Sequence, residues 1–78
     1  MKYNIKLCRD LELGDRVVRP TDKGFTISTV ITYEQYRGMG SFNFGEYGLV
    51  RFQDEVDSKR IYYANLPMVV LGNEKLTS

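Results

Sequence analysis

The chain contains one cysteine, Cys8, and no histidine. A thiol or hydroxyl nucleophile needs a base beside it, and imidazole is the usual one. Cys-His and Ser-His-Asp catalysis are therefore excluded within one chain, and so is histidine-ligated zinc. Cys8 reads instead as a small buried hydrophobe. Asp54, Glu55 and Asp57 carry oxygen that suits a hard cation, yet three acids in a polar run read better as a solvated turn. Asp10, Glu12 and Asp15 read likewise as loop solvation. Gly38, Gly40 and Gly45 do not make a phosphate loop, because no Lys-Ser/Thr pair follows them. The expectation is a non-enzymatic domain with no cofactor, no metal and no catalytic residue.

Two groups of residues point to binding instead. Between Glu34 and Tyr47, glycines alternate with large side chains: Tyr36, Arg37, Met39, Phe42, Phe44 and Tyr47. Aromatics held on a glycine-rich segment stack on bases, on guanidinium groups or on a partner's apolar patch. Arg37 adds a fork for a carboxylate or phosphate. These six are the candidate partner-binding residues. The plainer reading packs them back on the domain. The second group is basic: Arg16, Arg19, Arg51 and Arg60, with Lys23 nearby and Tyr62 interleaved. If Arg16, Arg51 and Arg60 project from neighbouring strands, they form an outward stripe suited to phosphates. The plainer reading pairs them with Asp15, Asp54, Glu55 and Asp57. Tyr33, Tyr36, Tyr62 and Tyr63 would suit a cage for a cationic side chain if the fold converged them.

Composition weighs between these options. Eleven Lys and Arg face ten Asp and Glu, a formal charge of +1. Dedicated nucleic-acid binders show a clear basic excess, so nucleic acid is possible only through a local patch. Seventy-eight residues make one domain with a modest core. A lone cysteine forms no intrachain disulfide, which fits a reducing cytoplasm. No segment approaches the ~20 apolar residues of a membrane span, and residues 1–6 lack the apolar run of a signal peptide.

The elements that position these side chains read as strands. Tyr3, Ile5 and Leu7 alternate with Lys2, Asn4 and Lys6, the pattern of a half-buried strand. Gly14 suits a turn needing positive φ, and Asp15 can bond the backbone beyond it. Arg16 to Arg19 is a short strand that Pro20 ends or confines to an edge. Thr21 to Gly24 is a tight turn. Phe25 to Tyr33 is the longest β-rich run, with a bulge near Ser28-Thr29 bringing Ile27 and Val30 inward. Glu34 to Tyr47 is a long loop or a twisted hairpin extension. Gly48 to Phe52, Arg60 to Ala64 and Met68 to Leu71 are further strands. Asn65-Leu66-Pro67 is a bend or a 3₁₀ turn. The domain spans 1–72, and 73–78 is a loose tail.

Leu13-Gly14-Asp15-Arg16-Val17-Val18 resembles the opening of SH3-like barrels of the Tudor and KOW kind. Gly24 and the following strand, Val50-Arg51-Phe52-Gln53-Asp54, Ile61-Tyr62-Tyr63 and Leu66-Pro67 resemble their later strands and short helical turn. The first strand, Lys2 to Arg9, precedes the usual start, and the 34–47 stretch is longer and more aromatic than such barrels carry. The resemblance implies an all-β fold: one small SH3-like barrel of roughly five or six short antiparallel strands, with a long Gly/aromatic loop. Such barrels bind proteins, peptides or nucleic acid. The expectation is a cytoplasmic protein-binding or regulatory module, monomer or homodimer, of the size of a small phage or bacterial accessory protein. Nucleic-acid binding is the alternative.

Overall fold

The computed structural model describes residues 3–38 and 45–74. They form six antiparallel strands: β1 (Asn4–Leu7), β2 (Asp15–Thr21), β3 (Gly24–Gly38), β4 (Gly45–Phe52), β5 (Arg60–Tyr63) and β6 (Pro67–Asn73). Two 3₁₀ turns, Cys8–Asp10 and Gln53–Glu55, interrupt them. The strands make one sheet in the order β1-β6-β2-β3-β4-β5, and β1 and β5 do not pair with each other. No α-helix occurs among the described residues, and none of their helices is long and apolar enough to cross a membrane.

β3 is long enough to serve both halves of the sheet. Its first part pairs with β2 and its second with β4. A register shift between Val30 and Thr32 separates the two parts. The bulge thus falls at Ile31, later than the expected Ser28-Thr29. The consequence is a change of phase: Ser28 and Val30 face inward, while Ile27 lies exposed and Phe25 is 78% exposed. A bulge adds one residue and re-aims everything beyond it, so Tyr33 then turns toward the core.

The core gathers Cys8, Leu11, Val17, Val30, Val50, Phe52, Met68 and Val70, with Tyr33 and Tyr62 packed against it. Cys8 is buried, as expected, and burial pushes its thiol above the ordinary range. Gly48 makes room for this packing. A Cβ there would sit 2.7 Å from both the Cys8 sulfur and the Tyr33 ring.

β1 corrects a second expectation. Ile5, and Tyr3 just before the strand, face solvent, Leu7 is half-buried, and Lys6 reaches inward. The reason is Asp15, whose residue is fully buried rather than solvated. Its carboxylate accepts hydrogen bonds from Lys6 Nζ at 3.1 Å, the Glu12 backbone N–H at 2.9 Å and Asn73 Nδ2 at 2.8 Å. A buried charge must be paired, and the pairing partner on β1 is the inward lysine. Burial alone would raise the Asp15 pKa. Asn73, the Glu12 amide and Lys6 together outweigh burial and hold it below the ordinary value. The backbone that Asp15 grips lies before it, not beyond it.

Gly14 is needed on two counts. Its φ is +91°, and a Cβ would collide with the carbonyl of Glu74. Its N–H bonds to Val30 O at 2.8 Å, and its carbonyl accepts from Glu74 N–H at 2.7 Å. Residues 73 and 74 are therefore tied into the fold rather than starting a loose tail. Pro20 lies within β2, opposite Phe25, where β6 has already left the other side of β2. Proline costs no ladder bond at such a local edge.

Candidate functional site

The hairpin of β3 and β4 extends to Gly38 and Gly45, so the described part of the 34–47 stretch is paired strand rather than loop. Strand alternation sends its residues to opposite faces. Tyr36 lies opposite Tyr47, and Tyr47 lies opposite Tyr63 of β5. The three rings form a row on the outer face, with centroids 6.3 and 5.2 Å apart. The unequal spacing follows from the ladder. Ala64 N–H bonds to Glu46 O across the same register, so Gly48–Tyr62 is the next hydrogen-bonded pair and Tyr47–Tyr63 lies between. Non-hydrogen-bonded pairs bring Cα atoms about 1 Å closer than hydrogen-bonded ones, and Tyr36–Tyr47 is of the bonded kind.

Leu49 and Ile61 form the adjacent row on this face. Tyr36, Tyr47, Leu49 and Ile61 line a shallow cavity of about 270 Å³. Ile61 is 64% and Tyr63 61% exposed. These large apolar side chains lie side by side on one exposed face. Of the six residues expected to bind a partner, Tyr36 and Tyr47 join this face. Arg37 points to the other side of the hairpin and bonds Glu46 at 2.9 Å. Met39, Phe42 and Phe44 lie outside the described residues. Leu49, Ile61 and Tyr63 are the members that reading the 34–47 segment alone missed. The alternation of Ile61 and Tyr63 was a usable signal.

The arginines do not form one stripe. Arg19 faces inward on β2, with its side chain 12% exposed. Its guanidinium carbon lies 4.3 Å from the Phe52 ring centre. Its Nε donates to Ser28 Oγ at 3.0 Å, and its terminal nitrogens reach Glu55 at 2.7 Å and Asp54 at 3.4 Å. Arg60 grips the same Glu55 through two nitrogens. Arg60 and then Arg19 pull the Glu55 carboxyl down to about 2 from its ordinary 4.5. Asp54 and Glu55 are therefore ion-pair partners, not merely a solvated turn. Arg16 lies on β2 near Glu74, at 4.0 Å. Arg51 lies on β4 opposite Thr32, next to Val50, whose own β5 partner is Arg60. Neighbouring positions on a strand face opposite ways, so Arg51 and Arg60 part.

The tyrosine cage divides in the same way. Tyr33 and Tyr62 pack on the core, with Tyr62 edge-on to Phe52 at 6.4 Å. Tyr36 and Tyr63 belong to the outer row. The described residues hold no group of three Cys, Asp or Glu placed to bind a metal ion.

No protein-family model, curated protein or solved structure matches this chain.

Proposed function

We propose that this chain is a non-enzymatic binding module on an SH3-like barrel frame, and that its outer face of Tyr36, Tyr47, Leu49, Ile61 and Tyr63 docks a protein partner. The strand order supports the frame. β2 to β5 are consecutive hairpins, and β6 returns beside β2, the course a small barrel needs to cover its edges. The N–H groups of Cys8 and Arg9 bond to the carbonyls of Leu66 and Ala64, each at 2.9 Å. They draw the β1 and β5 ends of the sheet together.

The observation that carries the function is the exposed tyrosine row above an aliphatic pair. Tyrosine anchors bring large contact area with few rotatable bonds, which is why they dominate protein interfaces. The charge pattern weighs against nucleic acid: Arg19 and Arg60 are already held by Glu55, and releasing them costs the pairs they make. Without a basic stripe, phosphate contacts are few.

The test is a paired titration. One arm uses peptides selected against the domain from a random linear display library. The other uses short single-stranded RNA and DNA at ~50 mM salt, where phosphate-driven affinity is strongest. Peptide binding that falls at least tenfold in Tyr36→Ala and Tyr47→Ala, about 1.4 kcal/mol each, is the expected result. Nucleic-acid binding with a steep salt dependence, lost in Arg16→Ala and Arg51→Ala, would overturn it in favour of the alternative.

A further inference from the structure

β5 is an edge strand, and its free side can be read group by group. The Ala64–Glu46 bond sets the ladder parity. Arg60 and Tyr62 turn their N–H and C=O toward β4, while Ile61 and Tyr63 turn theirs away from it. The Tyr63 carbonyl accepts from Leu66 N–H at 3.0 Å, inside the turn that follows. Among the described residues, three backbone groups find no partner on this edge: the Ile61 N–H, the Ile61 carbonyl and the Tyr63 N–H. Past the end of β5, where the chain turns, Arg9 N–H bonds the Ala64 carbonyl.

A groove runs beside this edge. Lys59, Arg60, Ile61 and Tyr62 form one wall, and the β2–β3 hairpin from Arg19 to Asp22 forms the other; its volume is about 880 Å³. Proteins commonly blunt an exposed edge with a free lysine or arginine. Here Lys59 is bonded to Glu34 at 3.2 Å, and Arg60 to Glu55. Both charges are engaged by these acids, and the exposed large apolar side chains on the edge are Ile61 and Tyr63.

We infer that this edge receives an extended segment of the protein partner, added as a further strand along Arg60–Tyr63 within the groove. The inference rests on the protein-binding reading above and gives the partner a conformation. Open backbone donors and acceptors at strand spacing are complemented by another extended backbone. The incoming side chains alternate. Those on the outer face continue the row of Tyr36, Tyr47 and Tyr63 and are apolar or aromatic. Those on the inner face meet Tyr62 and the ion-paired cluster of Arg19 and Arg60 with Asp54 and Glu55. Charges already paired with one another leave that lining to small or uncharged polar residues. A single strand enters between β5 and the β2–β3 hairpin. A second copy would bring an edge flanked by its own hairpin.

The experiment is amide hydrogen exchange, read by NMR on the full chain with peptides from the random linear library. Saturating peptide is expected to slow exchange at Ile61 and Tyr63 at least tenfold. Ile61→Pro removes a donor that β4 does not use, and it is expected to weaken binding at least tenfold. If that variant does not fold, the wild-type exchange data decide alone. Peptide binding that is lost in Tyr36→Ala yet leaves the Ile61 and Tyr63 amides unchanged would overturn the strand addition and leave the aromatic face standing. Protection of those amides that is insensitive to Tyr36→Ala and Tyr47→Ala would uphold the edge and reject the face. Protection that appears without peptide and grows with protein concentration would mean that a second copy takes the edge, and would overturn the inference. So would a library that yields no binder.

Discussion

Replacing Asp15 with Asn keeps the shape of the side chain and removes its charge. One oxygen remains where two accepted hydrogen bonds from Lys6, the Glu12 amide and Asn73. If that oxygen keeps the Glu12 amide, the new amide group faces the Asn73 amide, donor against donor. Loss of a charge-assisted bond costs about 1.5–3 kcal/mol, and a buried donor without an acceptor about 1–3 kcal/mol. Lys6 is partly exposed and turns to water or to Glu12, 3.9 Å away, which offsets part of the loss. The expected destabilisation is about 3 kcal/mol, or roughly 12–24 °C in Tm for a domain of this size. Urea denaturation at neutral pH measures it. The pH dependence supplies a second reading. The native Asp15 pKa is lowered from 3.8. Its contribution is therefore complete above that unfolded-state value and lost as pH falls through the lower native one. The gap between wild type and Asp15→Asn should narrow below pH 3.8. A variant within about 0.5 kcal/mol of wild type at neutral pH, the range of ordinary surface changes, would refute the role given to this cluster.

Gly14→Ala meets both a positive φ and the Glu74 carbonyl; a loss of about 3 kcal/mol or more is expected, seen as a low Tm or no folded protein. Gly48→Ala drives a methyl into Cys8 and Tyr33; overpacking should cost about 1–3 kcal/mol and change the near-UV circular dichroism of the tyrosines. Phe52→Ala removes the largest fully buried side chain among the described residues and the surface under Arg19, and equilibrium denaturation should show a loss of about 3–5 kcal/mol. Glu55→Gln releases Arg19 and Arg60. Because Glu55 is held at about 2 against 4.5 unfolded, the wild type should lose stability as pH falls from 4.5 toward 2, and the variant should lose less over that window; added salt should shrink the difference.

Much of the chain was readable in advance because local rules and tertiary packing agree there. The Thr21–Gly24 turn, the strand ending in Phe52, a strand starting at Arg60, a bend near Asn65-Leu66 and the burial of Cys8 follow from turn chemistry and alternation. β1 was misread because a period-two pattern states that two faces differ, not which one is buried. The aliphatic side of β1 lost the core to Lys6, since Asp15 needed a cation. The β3 phase was misread for a related reason. A bulge falls where the partner strand's register demands it, and Phe25-Thr26-Ile27 carries no mark of that demand.

The site was legible in part. Tyr36 and Tyr47 stand out by composition, but Leu49, Ile61 and Tyr63 join them only through the β4–β5 register. The arginines looked alike along the chain, and the fold gave them different work: Arg19 and Arg60 clamp Glu55, while Arg16 and Arg51 stay on separate strands.

What the sequence by itself determined is class and exclusion: a small all-β domain, without histidine chemistry, punctuated at Gly14 and Gly24, with tyrosines enough to make contacts. Those follow from residue types and near neighbours, where the physics is short-ranged. Which face of each strand is inside, which charges find partners and which edge stays open were decided only in the tertiary structure. Each depends on groups far apart in the chain, such as Asp15 with Asn73 and Arg19 with Glu55, and the energy of a buried charge is settled by what the fold places beside it.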